Sequence, residues 1–146
     1  MTMSRFTINF LGQRTVHEPD IDYLKQYFLD YAPEKWASEP NGGAFKFVDD
    51  DGIAYNCLIV HSPQHGICVM LDKWSKQFVS GKSTVGDASR MQELVDVGSD
   101  EIYPVGCFVK PSLAWPIVEQ YLSEPTKYPS SELLKDTAEI DWPEIY

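Results

Sequence analysis

The chain has 146 residues and a mass of 16.6 kDa, which suits one domain over 1–146 and is too short for two ordinary ones. Hydrophobic residues make up 43% and charged residues 23%, so wholesale disorder is excluded. Twelve basic residues against 22 acidic ones give a net charge of -10, which excludes holding nucleic acid or an anionic membrane by bulk attraction.

Phe6, Ile8 and Phe10 alternate with Thr7 and Asn9, which predicts a half-buried strand over Arg5 to Leu11. A polar turn, Gly12 to Glu18, follows. Pro19 stands where a helix can start, and Asp20 and Asp22 suit the positive end of its dipole. Ile21, Leu24, Phe28 and Tyr31 recur at helical spacing with Tyr27 beside them. The first helix is therefore predicted from Pro19 to Ala32, closed by Pro33. Ala44 to Val48 is a strand, and Asp49-Asp50-Asp51-Gly52 a tight hairpin turn. Ile53 to His61 is the next strand, Ser62 to Gly66 a turn, and Ile67 to Leu71 a further strand. Trp74 to Val79 either continues that strand or forms another. The apolar run Leu58-Ile59-Val60 suggests a central strand covered on both faces.

Ser80-Gly81-Lys82-Ser83-Thr84 reads as a flexible loop. Met91 to Val97 reads as a strand rather than a short helix, because Val95-Asp96-Val97-Gly98 alternates and then turns. Val105 to Val109 reads as the last strand. Lys110-Pro111-Ser112 opens a second helix that runs to Leu122, with Leu113, Ile117, Val118 and Tyr121 on its apolar face. With Ser112 as N-cap, Pro116 falls in the first turn, where a missing N–H is no loss. Ser131 to Lys135 is a weak helical patch in the tail. Strands arriving in a run between two helices give an α+β fold: a curved antiparallel meander with two main helices on one face.

No run reaches the roughly 18 apolar residues of a membrane span, and Phe6 to Leu11 is too short for a signal-peptide core. Cys57, Cys68 and Cys107 lack motif spacing and sit in apolar runs, as buried free thiols in a reducing cytoplasm would. His17, His61 and His65 complete no tetrahedral ligand set, so surface or turn histidines are expected, with no metal and no cofactor. Cys57 and His61 share a strand face about 13 Å apart, too far for proton transfer. Cys68 with His65 passes on spacing, but an apolar run disfavours the thiolate. Gly81-Lys82-Ser83-Thr84 matches the end of a phosphate-binding loop. The glycine required five residues earlier is Lys76, so a solvated hairpin tip is the better reading. The acid clusters Asp49 to Asp51, Asp96 with Asp100 and Glu101, and Glu139 with Asp141 and Glu144 could serve a glycosidase or a metal nuclease. Acidic turns explain them more simply.

Charge is uneven along the chain. Met1 to His17 holds Arg5 and Arg14 and no acid, whereas Glu119 to the end carries a net of -5. Asp87 to Glu101 has five acids and one arginine. Trp74, Tyr103 and Trp142 lie among the acids, and aromatic anchors ringed by charge are a mark of interface hot spots. The plain alternative is a solvated acidic face with those aromatics buried.

The stretch Tyr103-Pro104-Val105-Gly106-Cys107-Phe108-Val109-Lys110-Pro111-Ser112-Leu113-Ala114, the helix ending near Leu122 and the tail Trp142-Pro143-Glu144-Ile145 carry a resemblance. They resemble the first-numbered immunity family of bacterial polymorphic toxin systems, over residues 95–146 above all. Its members have a strand meander, a polar-capped turn into a helix, a proline-containing loop and a Trp-x-Glu-aliphatic tail. Trp142, Glu144 and Ile145 match the tail, and Leu122 to Pro129 the loop; the insert Ser130 to Asp141 lengthens the stretch between. The resemblance implies a non-enzymatic inhibitor of a cognate toxin, often a nucleic-acid deaminase or nuclease, used in interbacterial competition such as contact-dependent inhibition. Expected partner-binding residues are Asp49, Asp50, Asp51, Trp74, Asp100, Glu101 and Tyr103; the oligomeric state stays open. The competing readings are a small hydrolase and a general adaptor or chaperone. Ile140 and Ile145 beside Trp142 favour a core role for that ring.

Overall fold

Alternating apolar residues and tight turns make most of this chain a meander of hydrogen-bonded neighbours. A computed structural model describes residues 5–12, 15–37, 42–98 and 101–144. In chain order the elements are β1 (Phe6–Phe10), α1 (Ile21–Leu29), β2 (Gly42–Val48), β3 (Ala54–Ser62), β4 (Gly66–Ser75), β5 (Gln77–Thr84), β6 (Leu94–Asp96), β7 (Ile102–Pro104), α2 (Pro111–Ser123) and β8 (Leu134–Asp136). Six strands form a curved, open sheet in the order β1-β2-β3-β4-β5-β8, every neighbour antiparallel. β6 and β7 make a separate two-stranded hairpin. The α+β architecture with both helices on one sheet face is as the sequence predicts.

The turns follow from local chemistry. In the β2–β3 turn the Asp49 carboxylate accepts from the backbone N–H of Asp51 (2.9 Å) and Ile53 (3.0 Å). Gly52 there takes φ +80°, the left-handed region that a side chain resists. Gly66, at φ +105°, opens β4 against the segment before α2, and a Cβ there would run into the Val109 carbonyl. Ile67 and Val109 exchange two backbone hydrogen bonds at that junction (2.9 and 2.8 Å).

The helix face holds the larger core. Ile8, Phe10, Phe45, Cys57, Ile59, Ile67, Val69 and Leu71 point from the sheet toward Leu24 and Phe28 of α1 and Ile117, Val118 and Tyr121 of α2. Trp36, wholly buried at the end of a 3-10 turn (Pro33–Trp36), meets Phe10 at 5.2 Å, Phe28 at 5.3 Å and His61 at 5.0 Å. Its indole N–H donates to the Tyr27 carbonyl (3.0 Å). The opposite face is covered over only part of its area. There Val60 and Cys68 pack with Met91, Val97, Cys107 and Phe108, and Met70, Tyr103, Ile140 and Trp142 border them.

Several sequence expectations are corrected. α1 is shorter than Pro19 to Ala32: Asp20 is its N-cap, accepting from Tyr23 N–H, and Pro33 opens the 3-10 turn. Ser80 to Thr84 is no loop or solvated tip but part of β5, with Ser83 and Thr84 fully buried. The Thr84 hydroxyl donates to the Cys107 carbonyl (2.7 Å) and accepts from Val69 N–H (3.0 Å), so burial leaves it satisfied. Val105–Cys107 is a 3-10 turn, and the last strand is β8, which includes the end of the supposed helical patch. Lys110, not Ser112, stands at the N-cap position of α2 and makes no side-chain capping hydrogen bond; Pro111 comes first, which puts Pro116 in the helix interior. Pro116 is exposed, so the carbonyl it leaves without a helical donor is on the side water reaches. Leu113 is also exposed, and Ala114 and Trp115 are buried in its place. His61 is a core residue, not a surface or turn one.

Candidate functional site

The sheet register decides which of the predicted contact residues meet. Val48 pairs with Ala54, and Ala54 with Trp74, so the β2–β3 and β4–β5 turns share one end of the sheet. Asp49, Asp50, Asp51 and Trp74 are therefore brought together. Asp50 and Asp51 are exposed, and Arg5 contacts Asp50 directly at 2.6 Å, a solvent-exposed pair that adds little stability. Trp74 is 43% exposed and meets Phe78 edge-on at 5.7 Å. Phe78 and Val79 are half exposed, so this end carries an apolar patch beside an acidic turn.

Glu101 and Tyr103 lie elsewhere, and Asp100 lies outside the described residues. Glu101 borders a groove of about 360 Å³ that is also lined by Asn9, Ala44, Leu58, Val60 and Val97. Gly42 pairs with Val60, so this groove is at the far end of β3 from Ala54, roughly 20 Å away at the rise of a strand. Tyr103 is half-buried against the smaller core. Burial, and then the Glu101 carboxylate, push its phenol up to about 12. The predicted residues thus mark two ends of one sheet face rather than one cluster.

The same face carries side chains that sequence reasoning missed. Ala44, Lys46 and Leu58 alternate with Phe45 and Cys57 and so project from the second face. Leu58 is 37% exposed, which corrects the expectation of a central strand covered on both faces. Covering elements reach Val60 and Cys68 but not Leu58. An apolar residue left open in mid-sheet is a signal only once the strands are paired, since in sequence it is one more member of an apolar run.

The other chemical candidates are placed as follows. All three cysteines are buried free thiols. Cys68 touches the Ser83 hydroxyl at 3.9 Å, and the neighbouring Cys107 thiol together with burial holds it well above the usual thiol range. That environment opposes a nucleophilic Cys68–His65 pair. His61 accepts or donates at Nε2 with the Tyr31 hydroxyl (2.7 Å), and burial lowers it to about 4. Among the described residues no group of three or more His, Cys, Asp or Glu is placed to hold a metal ion, and no helix is long and apolar enough to cross a membrane. Trp142 is half-buried with Ile140 at the smaller core, and its indole N–H donates to the Thr137 carbonyl (2.9 Å). Ile145, the last position of the tail pattern, lies outside the described residues.

No known protein family, no curated protein and no solved structure matches the chain. The face itself carries the functional argument. It combines exposed apolar side chains, carboxylates at both ends and hydrogen-bonded strands that hold them in fixed register.

Proposed function

We propose that this protein is an immunity protein. It binds a cognate toxin domain in the cytoplasm and blocks it by direct occlusion, through the open half of the second sheet face. The observation that carries the reading is the apolar centre and tip of that face, Leu58, Trp74, Phe78 and Val79, standing beside exposed carboxylates. Apolar anchors supply affinity when water leaves them, and surrounding acids select a basic partner and speed its approach. A toxin that acts on nucleic acid, a deaminase or a nuclease, presents a basic substrate groove, and a carboxylate-bearing face fits over it. A span of roughly 20 Å lies within a standard interface of about 800 Å² per partner. The resemblance of the Tyr103 to Ala114 stretch and of the Trp142 tail to the first-numbered immunity family supports the same reading.

The test is co-expression with any toxin domain encoded beside the gene. The expected result is co-purification and rescue of growth. Association should slow at least tenfold between low and high salt, as screened steering requires. Toxicity that persists undiminished, with no complex recovered, would remove the proposal.

A further inference from the structure

We infer that the groove between the open sheet face and the β6–β7 hairpin receives an arginine or lysine side chain of the protein partner. The inference rests on reading this face as a protein-docking surface, and not on the partner being a toxin. The groove, about 360 Å³, is near the small end of ligand sites and suits one long side chain rather than a helix. Its apolar lining is Ala44, Leu58, Val60 and Val97, contributed by β2, β3 and the segment after β6. Glu101 stands at its border, exposed, on the turn that joins β6 to β7.

Apolar lining and a bordering carboxylate are the two halves of what a basic side chain needs. A methylene stem buries against aliphatic groups while the cationic head stays at the wet edge. A carboxylate at that edge gives the head a charge-assisted hydrogen bond. The hairpin side of the groove is acidic, while Lys46 is a cation exposed on the sheet side. Glu93, Asp96 and Glu101 are exposed on or beside the hairpin; Glu93 is paired with Arg90 at 2.9 and 3.0 Å, and Asp96 accepts from the Gly98 N–H at 2.8 Å. Among the described residues no lysine or arginine forms an ion pair with Glu101 or Asp96. The Tyr103 phenol lies beside the Glu101 carboxylate, which together with burial pushes the phenol up. A purely aliphatic partner side chain would fill the lining and leave Glu101 unused.

The experiment is a solution NMR titration of the whole protein, followed at the methyl groups of Ala44, Leu58 and Val97. The probes are acetyl-arginine amide, acetyl-norleucine amide with a similar stem and no charge, and guanidinium chloride with the head alone. Acetyl-arginine amide is expected to saturate near millimolar concentration, the weak affinity a single side chain supports. The other two should bind at least fivefold more weakly. Glu101→Gln should lower arginine binding at least fivefold with the melting temperature unchanged. Equal binding of the norleucine probe, absence of a saturable shift, or full binding by Glu101→Gln would each overturn the inference. The titration uses no toxin, so its failure and that of co-expression are read separately.

Discussion

The two faces of the sheet are built from the same strands and end in different states. One is sealed by α1, α2 and the 3-10 turn at Trp36, and its side chains form a continuous aromatic and aliphatic core. The other is closed by the β6–β7 hairpin and the tail over part of its area and open over Ala44, Lys46 and Leu58. Stability belongs to the first face, and the second leaves Leu58 open to water. A single strand serves both, because alternate residues project to opposite sides.

Mutations should separate the faces by size of effect. Trp36→Ala removes the ring shared by Phe10, Phe28 and His61 and is expected to cost about 3–5 kcal/mol in a urea melt. A loss under about 1 kcal/mol would mean that the sealed face is not the stabilising one. Trp142→Ala, on the partly closed face, should cost less, about 2 kcal/mol, because its ring is only half-buried. A melting temperature that stays unchanged would detach the tail from the smaller core.

Proton uptake sharpens the same contrast. His61 is neutral in the sealed core with a folded value of about 4, against an ordinary value of 6.5. Between those values the unfolded chain binds more protons, so this histidine's contribution to stability is full above about 6.5 and is lost as pH falls toward 4. Urea midpoints at pH 7 and pH 4.5 should show a smaller decrease in His61→Gln than in the native protein. An equal decrease in both would place the proton uptake on other groups. The smallest effect is expected of Leu58→Ala, within about 0.5 kcal/mol of the native protein, since its side chain is already partly in water. A loss near that of Trp36→Ala would show that the face is closed in solution.

Much of the fold was legible because it is local and periodic. Phe6, Ile8 and Phe10 announce β1, Leu24 and Phe28 announce α1, and Gly52 marks a hairpin. The failures share a cause: their partners are distant in sequence. Ser83 and Thr84 look like loop residues until backbone groups of Val69 and Cys107 meet the Thr84 hydroxyl. β8 has three residues, too few for a period, and exists because Lys82 to Thr84 offer an edge. At the candidate site, Asp49 to Asp51 and Trp74 were readable as turn residues beside an aromatic. The groove was not, since Asn9, Ala44, Leu58, Val97 and Glu101 converge only after the strands pair.

The most direct test of the open face is amide hydrogen exchange of the protein alone and in complex with a toxin domain of the kind proposed as its partner. Protection should appear at residues 44–46, 56–58, 72–79 and 101–103, with α1 and the exposed side of α2 unchanged. Protection confined to the helices, with the strand residues exchanging as in the free protein, would contradict the account.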